Sequence, residues 1–300
     1  MTMRSCSRRR FLQNSLLIAG SSVLFPRLDS LARAFAQDQQ PGDKDTCERK
    51  FALALERTLS EKPIGEVMVA IGTSFIGTPY AAYAIEAPGD EHLIINMQGL
   101  DCVSFTENSL ALSRCIKTGK TTFSDYREQM QLIRYRNGII DKYPSRLHYF
   151  SDWIDNNVSK NVLHNVTKQI GGQPYEKTIN YMSTHRSSYR QLSDDAFLAT
   201  IKQTEQEITR RRHYYIPKAR LSSAQEGIQN GDIIAITSAM KGMDIGHTGM
   251  AIRIDGVLRF LHAPLVGSSV QITDKPLVEY LKLHKQHTGI MVARPLEPTA

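Results

Sequence analysis

One cysteine stands where its side chain could act as a nucleophile. Cys102 follows Gly99-Leu100-Asp101 and lies at the start of a predicted helix, Asp101 to Ile116. A helix N-terminus carries partial positive charge and free backbone N–H groups, which favour a thiolate and can also receive an oxyanion. The alternative is a buried structural cysteine, because free cysteine is among the most buried residue types.

Two histidines near the C-terminus could serve such a thiol. If Asp255-Gly256 are the two loop residues of a hairpin, Ile254 pairs with Val257. His247 and His262 then lie on the same face as diagonal neighbours, roughly 7–8 Å apart at the backbone. One imidazole could take the thiol proton while the other holds its ring in the productive tautomer. Two histidines that are exposed or satisfied elsewhere are the alternative.

The elements that must position these residues change in type along the chain. Residues 47–60 and 64–76 are predicted helices, and residues 117–226 read as a helical and loop-like insertion. The predicted strands are Asp232 to Thr237, Thr248 to Ile254, Val257 to His262, Val270 to Thr273 and Gly289 to Ala293. Helices followed by a run of antiparallel strands predict an α+β fold, with the cysteine helix packed on the sheet.

The N-terminal residues have the pattern of a cleavable export signal, residues 1–36. Ser7-Arg8-Arg9-Arg10-Phe11-Leu12 precedes an apolar stretch from Leu16 to Phe25, and Ala34-Phe35-Ala36 offers small residues for cleavage. The paired arginines indicate the twin-arginine route and hence the periplasm; an uncleaved anchor or an ordinary secretory signal is the alternative. Residues 37–46 are then a flexible lead-in, and residues 47–297 a single catalytic domain.

Charge and cysteine content exclude several classes of function. The first 36 residues hold six of the 37 basic residues and one of the 30 acidic ones, so the remainder has a net charge of only +2. A nearly neutral protein gives no electrostatic case for nucleic-acid binding. The sequence contains no run of 18 or more apolar residues, so no stable membrane insertion is predicted. Without a CxxC pair or an HExxH helix, no metal site is expected.

Taken together, these motifs resemble the NlpC-type papain-like cysteine peptidases of cell-wall peptide. The resemblance is carried by Asp101-Cys102, by Gly231 to Ile236, by Gly246-His247-Thr248-Gly249-Met250-Ala251-Ile252 and by His262. Phe75 to Tyr80 is similar to the Gly-x-Pro-Tyr loop that precedes the cysteine in those proteins. The run Ser145-Arg146-Leu147-His148-Tyr149-Phe150-Ser151-Asp152-Trp153 resembles one branch in particular, the N-acetylmuramoyl-L-alanine amidase-like family.

That resemblance implies a papain-like fold, no cofactor, and hydrolysis of the amide between the muramoyl lactyl group and L-alanine of small muropeptides, often anhydro forms. Cys102 would be the nucleophile, His247 the general base and acid, and His262 its orienting partner. Tyr80 would help to shape the oxyanion site. Asp101 could meet a substrate dipole or only cap the helix.

Four further residues are candidates for substrate binding. Arg136, His148 and Asp152 could grip a carboxylate-rich peptide or form a structural network, since the planar guanidinium of arginine suits carboxylates. Trp153 could stack on a sugar or pack in the core.

The sequence also leaves rival functions open. The common NlpC pattern is Asp-Cys-Ser-Gly, whereas this chain has Asp-Cys-Val-Ser. This difference weakens an assignment to the D,L-endopeptidases that cut after γ-D-glutamate, which remain the alternative enzyme. A non-catalytic muropeptide-binding protein and an acyltransferase on the same core are the other possibilities.

Overall fold

The elements around the candidate residues are described by a computed structural model for residues 42–265 and 269–299. The expected export signal, residues 1–36, and residues 37–41 of the expected lead-in lie outside the described residues. In the described part, the helices are α1 (Asp43–Glu56), α2 (Ile64–Thr73), α3 (Cys102–Thr118), α4 (Phe123–Arg134), α5 (Phe150–Ser159), α6 (Tyr181–Thr184), α7 (Asp195–Arg210), α8 (Leu221–Ala224) and α9 (Leu277–Leu283).

The strands form one antiparallel sheet. They are β1 (Leu163–Asn165), β2 (Gln173–Pro174), β3 (Tyr214–Pro217), β4 (Ile233–Ser238), β5 (Ile245–Ile254), β6 (Val257–His262), β7 (Gln271–Ile272) and β8 (His287–Pro295). Their order in the sheet is β2-β3-β8-β4-β5-β6-β7, and β1 also pairs with β8. The prediction of an α+β fold with an antiparallel sheet is confirmed.

Both faces of the sheet are covered, and the strand residues alternate between two cores. On β4, Ile233 and Ala235 belong to the core that contains α1, α2 and α3. Ile234 and Ile236 belong to the opposite core, with Leu277 and the rest of the apolar face of α9. A strand buried on both faces is continuously apolar, which explains the run of Ile and Ala in β4.

The cysteine helix begins where a capping box fixes it. Asp101 has extended backbone, and its Oδ1 accepts the Ser104 N–H at 2.7 Å, while the Ser104 hydroxyl accepts the Asp101 N–H at 2.9 Å. At the other end, Gly119 ends the helix with a left-handed φ of 70°, a conformation that glycine adopts without a steric penalty. Cys102 is therefore held as the first helical residue.

The hairpin between β5 and β6 has the predicted register. Asp255 and Gly256 both have positive φ, 50° and 77°, as a tight two-residue turn requires. Ile254 pairs with Val257, and the register continues to the pair of Gly249 with His262. His247 and His262 are therefore brought to the same face of the sheet.

The structure corrects two boundaries. The lead-in does not extend to residue 46, because α1 begins at Asp43, which is fully buried and whose carboxylate accepts the Met97 N–H at 2.8 Å. The stretch 117–226 is not only helical and loop-like. It supplies β1, β2 and β3, and Leu163 to Asn165 as well as Ile216 to Pro217 pair directly with β8.

Candidate active site

Cys102 lies in the wall of a cavity of about 160 Å³. Its side chain is largely buried, with 6% exposed. Asp101 and Tyr80 line the same cavity, and so does Ile245 at the start of β5. Cys102 is the first residue of α3 and lines the cavity. The backbone N–H groups at this end of the helix, which have no partner within the helix, therefore lie next to its thiol. The predicted position of Cys102 at a helix start is therefore confirmed.

Tyr80 is held next to the start of the cysteine helix by backbone hydrogen bonds. The Leu100 N–H donates to the carbonyl of Pro79 at 2.9 Å, and the Ala81 N–H donates to the carbonyl of Leu100 at 3.2 Å. Tyr80 and Leu100 thus form a short parallel bridge two residues before Cys102. The loop that carries Tyr80 is positioned by the same segment that leads into α3.

The two histidines are in direct contact. His247 Nε2 lies 2.7 Å from His262 Nδ1, and the two rings cross nearly at right angles with centroids 5.0 Å apart. A bulge contributes to this placement, because Ile236 pairs with His247 and Thr237 with Ile245, so that Gly246 is left between them. β5 therefore begins at Ile245, three residues earlier than predicted, and His247 lies inside the strand.

His262 has the environment of an orienting group rather than of a base. Only 1% of it is exposed, and burial, followed by the charges of His284 and His287, lowers its pKa to about 3. A neutral His262 can accept the His247 Nε2–H at Nδ1, which leaves His247 Nδ1 as the basic nitrogen. This tautomer is the one that a base acting on a thiol needs.

The cavity and the histidine pair adjoin along β5. Ile245 lines the cavity two residues before His247. Tyr280 gives a second link, since its ring lies 5.4 Å from that of His262. The pKa of Tyr280 is raised by its burial and, secondly, by the charge of Cys102. Tyr280 therefore lies in ring contact with His262 and within electrostatic range of Cys102.

His148, one of the residues predicted to bind substrate, lines the cavity. Its Nε2 lies 2.8 Å from the carbonyl oxygen of Tyr143, and its ring packs on the Tyr143 ring at 4.2 Å. Burial, followed by the charge of Arg146, lowers the pKa of His148 to about 3. A neutral imidazole in this position brings no positive charge to the cavity.

Three other predicted binding residues lie away from the cavity. Asp152 is 1% exposed and pairs with Arg136 and with Arg211, each at 2.5 Å. Arg136 itself borders a separate surface groove. Trp153 is fully buried, stacks on Phe150 at 4.6 Å and donates its Nε1–H to Glu107 at 3.2 Å.

The structure places these three residues in the structural network and the core, which the sequence left open as alternatives to substrate binding. A buried carboxylate needs cationic partners, and a buried indole N–H needs an acceptor. These structural requirements account for the contacts of Asp152, Arg136 and Trp153. Asp101 lines the cavity, but its Oδ1 is occupied by the helix cap.

The sequence did not single out the aromatic and charged residues that shape most of the cavity. Its walls include five tyrosines other than Tyr80, namely Tyr83, Tyr143, Tyr149, Tyr181 and Tyr189. Arg146 is the most engaged of the charged residues, with Nη2 2.9 Å from Glu86 and Nε 3.4 Å from Glu91. Arg146 lies in the Ser-Arg-Leu-His run quoted above, and this run was the only sequence signal for a role of Arg146 in the cavity wall.

Neither a metal site nor a spanning helix is found in the part of the chain that the structure describes. No group of three or more His, Cys, Asp or Glu side chains there could hold a metal ion. No helix there is long and apolar enough to cross a membrane. Cys47 and Cys115 are fully buried and outside any disulfide, and burial raises the pKa of Cys115 to about 12.

Solved structures of known proteins share this architecture. Two crystal structures of an N-acetylmuramoyl-L-alanine amidase from Bacteroides uniformis are each 36% identical to this chain, with a TM-score of 0.73. They cover 77% and 78% of this chain and 98% and 99% of their own. A Legionella pneumophila protein of family DUF1460 is 19% identical over 84% of this chain and 94% of its own, with a TM-score of 0.65, a likeness of fold alone.

Sequence comparison gives the family. No curated protein matches this chain. The family model described as AmiA-like, N-acetylmuramoyl-L-alanine amidase-like, matches residues 70–290, which include Cys102, His247 and His262. This match spans well over half of the chain, and the chain therefore belongs to the AmiA-like, N-acetylmuramoyl-L-alanine amidase-like family.

Proposed function

We propose that the protein is a cell-wall amidase that hydrolyses the bond between N-acetylmuramic acid and L-alanine with Cys102 as nucleophile. The observation that carries the proposal is the 2.7 Å contact of His247 with His262 beside the cavity wall that holds Cys102. Membership of the amidase-like family supports the amide bond as the target. The helix-start cysteine on an antiparallel sheet supports a placement among NlpC-type papain-like enzymes.

The proposed reaction proceeds through a thioester. His247 takes the Cys102 proton, and the thiolate attacks the carbonyl carbon of the lactyl group. The resulting oxyanion lies near the N-terminus of α3, with Tyr80 next to it. The C–N bond then breaks, and the L-alanine nitrogen leaves with the proton from His247. Water, deprotonated by His247, attacks the thioester and releases the muramoyl carboxylic acid and the Cys102 thiol.

The cavity suits a small, soluble muropeptide, as the resemblance implies, and we propose the anhydro form as substrate. The aromatic walls provide flat apolar faces with polar edges, which suit a sugar ring. Residues 1–36 would direct the protein to the periplasm by the twin-arginine route, where such fragments arise from wall turnover.

The test is a mass analysis of products from a defined anhydro-muropeptide. The expected products of the wild-type protein are the free muramoyl sugar and the intact stem peptide. Cys102→Ala should give neither, while Cys115→Ala, which changes a buried cysteine in the same helix, should remain active. Cleavage after γ-D-glutamate would instead identify the D,L-endopeptidase. Binding without turnover in the wild type would identify a muropeptide-binding protein.

A further inference from the structure

The His262 ring contacts two other aromatic rings, that of Phe260 in its own strand and that of Tyr280 from a later helix. Tyr280 of α9 lies 5.4 Å from the His262 ring, crossing it at 78°. Tyr280 also lies 5.7 Å from Phe260, which in turn lies 4.7 Å from His262. The three rings form one contact group behind the histidine pair.

The sequence of α9 explains why Tyr280 points towards His262. Leu277 and Leu281 are fully buried in the core on that face of the sheet, together with Phe260. Positions 277, 280, 281 and 284 have the spacing of one helical face. The two leucines anchor α9 on the sheet, and Tyr280 is carried over His262 by the same face.

The second ring nitrogen of His262, Nε2, is the reason why this ring must be shielded from water. When His262 Nδ1 accepts the proton of His247, its own proton lies on Nε2. Nε2 is buried and has no hydrogen-bond partner among residues 42–265 and 269–299. Water that reached this nitrogen would solvate the ring and favour the doubly protonated imidazolium.

An imidazolium at His262 would reverse the hydrogen bond to His247. Both nitrogens of His262 would then be donors, so that Nδ1–H would donate to His247 Nε2. His247 would carry its proton on Nδ1 and could no longer take one from a thiol. The neutral state of His262 is therefore a condition for the base to work.

We propose that Tyr280 is a positioning residue, whose ring excludes water from His262 and thereby keeps His262 neutral and His247 in its basic tautomer. The proposal rests on the proposed function, because it concerns the same catalytic pair. The ring should matter rather than the hydroxyl, since no hydrogen bond joins Tyr280 to His262 in the described structure.

The other titratable groups around this cluster do not replace Tyr280. His247 faces His262 from β5, while His284 follows α9 and His287 begins β8. His284 and His287 lie 4.6 Å and 5.9 Å from the Tyr280 ring. Burial, followed by the charge of Cys102, raises the pKa of Tyr280. Burial, followed by the charges of His284 and Lys218, lowers the pKa of His287. Burial is the largest influence on the charge of His262, and the charges of His284 and His287 act in the same direction by disfavouring the cation.

The first measurement is the pH dependence of kcat and kcat/KM on a soluble muropeptide. In Tyr280→Ala the acid limb of kcat/KM should move up by about one pH unit or more, with kcat reduced below pH 7 and KM little changed. Tyr280→Phe should keep the wild-type profile. Tyr214→Ala, which removes a half-buried tyrosine from β3 near the opposite edge of the sheet, is the matched control. If Tyr280→Ala does not fold, Tyr280→Leu, which truncates the side chain less, takes its place in this measurement.

The second measurement does not depend on turnover. Nitrogen NMR of histidine-labelled protein follows the titration and tautomer of His262 in the wild type and in the Tyr280 variants. A His262 that titrates at higher pH in Tyr280→Ala, but not in Tyr280→Phe, supports the proposal.

An unchanged titration and acid limb in Tyr280→Ala, or an equal shift in Tyr280→Phe, overturns the proposal. Failure of the proposed function is distinguishable, because the wild type would then be as inactive as Cys102→Ala while the NMR titration still reports on His262.

Discussion

Removing the ring of His262 should slow the reaction without abolishing it. His262→Ala deletes the acceptor that lies 2.7 Å from His247 Nε2. A hydrogen bond between neutral groups contributes about 0.5–1.5 kcal/mol net, and about 1.4 kcal/mol corresponds to a tenfold change in rate. We therefore expect a loss of up to roughly tenfold in kcat from the hydrogen bond alone, with KM little changed.

Two further variants separate orientation from proton transfer. His247→Ala removes the base itself, and general acid–base catalysis contributes roughly 10²–10⁴-fold, so this loss should be the larger. His262→Gln should recover part of the activity, because its side-chain oxygen can accept the His247 N–H. His164→Ala, which changes an exposed histidine of β1, controls for the loss of any histidine.

The assay is the initial rate of release of the stem peptide from one soluble muropeptide, with each variant checked for folding by circular dichroism. If His262→Ala is as fast as the wild type, the orienting role is refuted. If His262→Ala loses more activity than His247→Ala, the roles of the two histidines are reversed. A glutamine variant no faster than the alanine variant would show that the acceptor is not what matters.

Three other results are expected. At pH 6 a thiol alkylator should label Cys102 before the other two cysteines of residues 42–299, because burial raises the pKa of both of their thiols; peptide mass mapping would detect a different order. Arg134→Met should lower the free energy of unfolding by about 3–5 kcal/mol, because it leaves Glu107 buried without its 2.9 Å partner. Denaturant titration measures this loss, and a loss below about 1 kcal/mol would contradict the reasoning. Replacing Arg8 and Arg9 by Lys should block export, and normal periplasmic accumulation would indicate the secretory route instead.

The reactive centre was predictable because its positioning devices are local in sequence. Asp101 three residues before Ser104 gives a helix cap, and Asp255-Gly256 gives a turn whose register follows by counting along two strands. Both signals depend on backbone chemistry within a few residues. The relative position of His247 and His262 could therefore be derived before the structure was known.

The cavity walls could not be derived in the same way. Tyr83, Tyr149 and Tyr189 are far apart in sequence and meet only through packing of the insertion. For Trp153 and Asp152 the sequence left binding and structural roles open, because residue type alone does not distinguish a buried partner from an exposed ligand. The strands of the insertion are two to four residues long, and one of them is Gln173–Pro174, so they carry no periodic signal.

The central position of β8 has a consequence for how the chain folds. β8 lies between β3 and β4, and β1 is attached to the sheet only through it. Residues 287–295 therefore join strands that precede them by about 50 to 130 positions in sequence. Contacts of such high sequence separation slow folding. The pairs that β8 makes with β1, β3 and β4 therefore cannot form until residues 287–295 have emerged from the ribosome, whereas the β5–β6 hairpin that carries His247 and His262 can form before them.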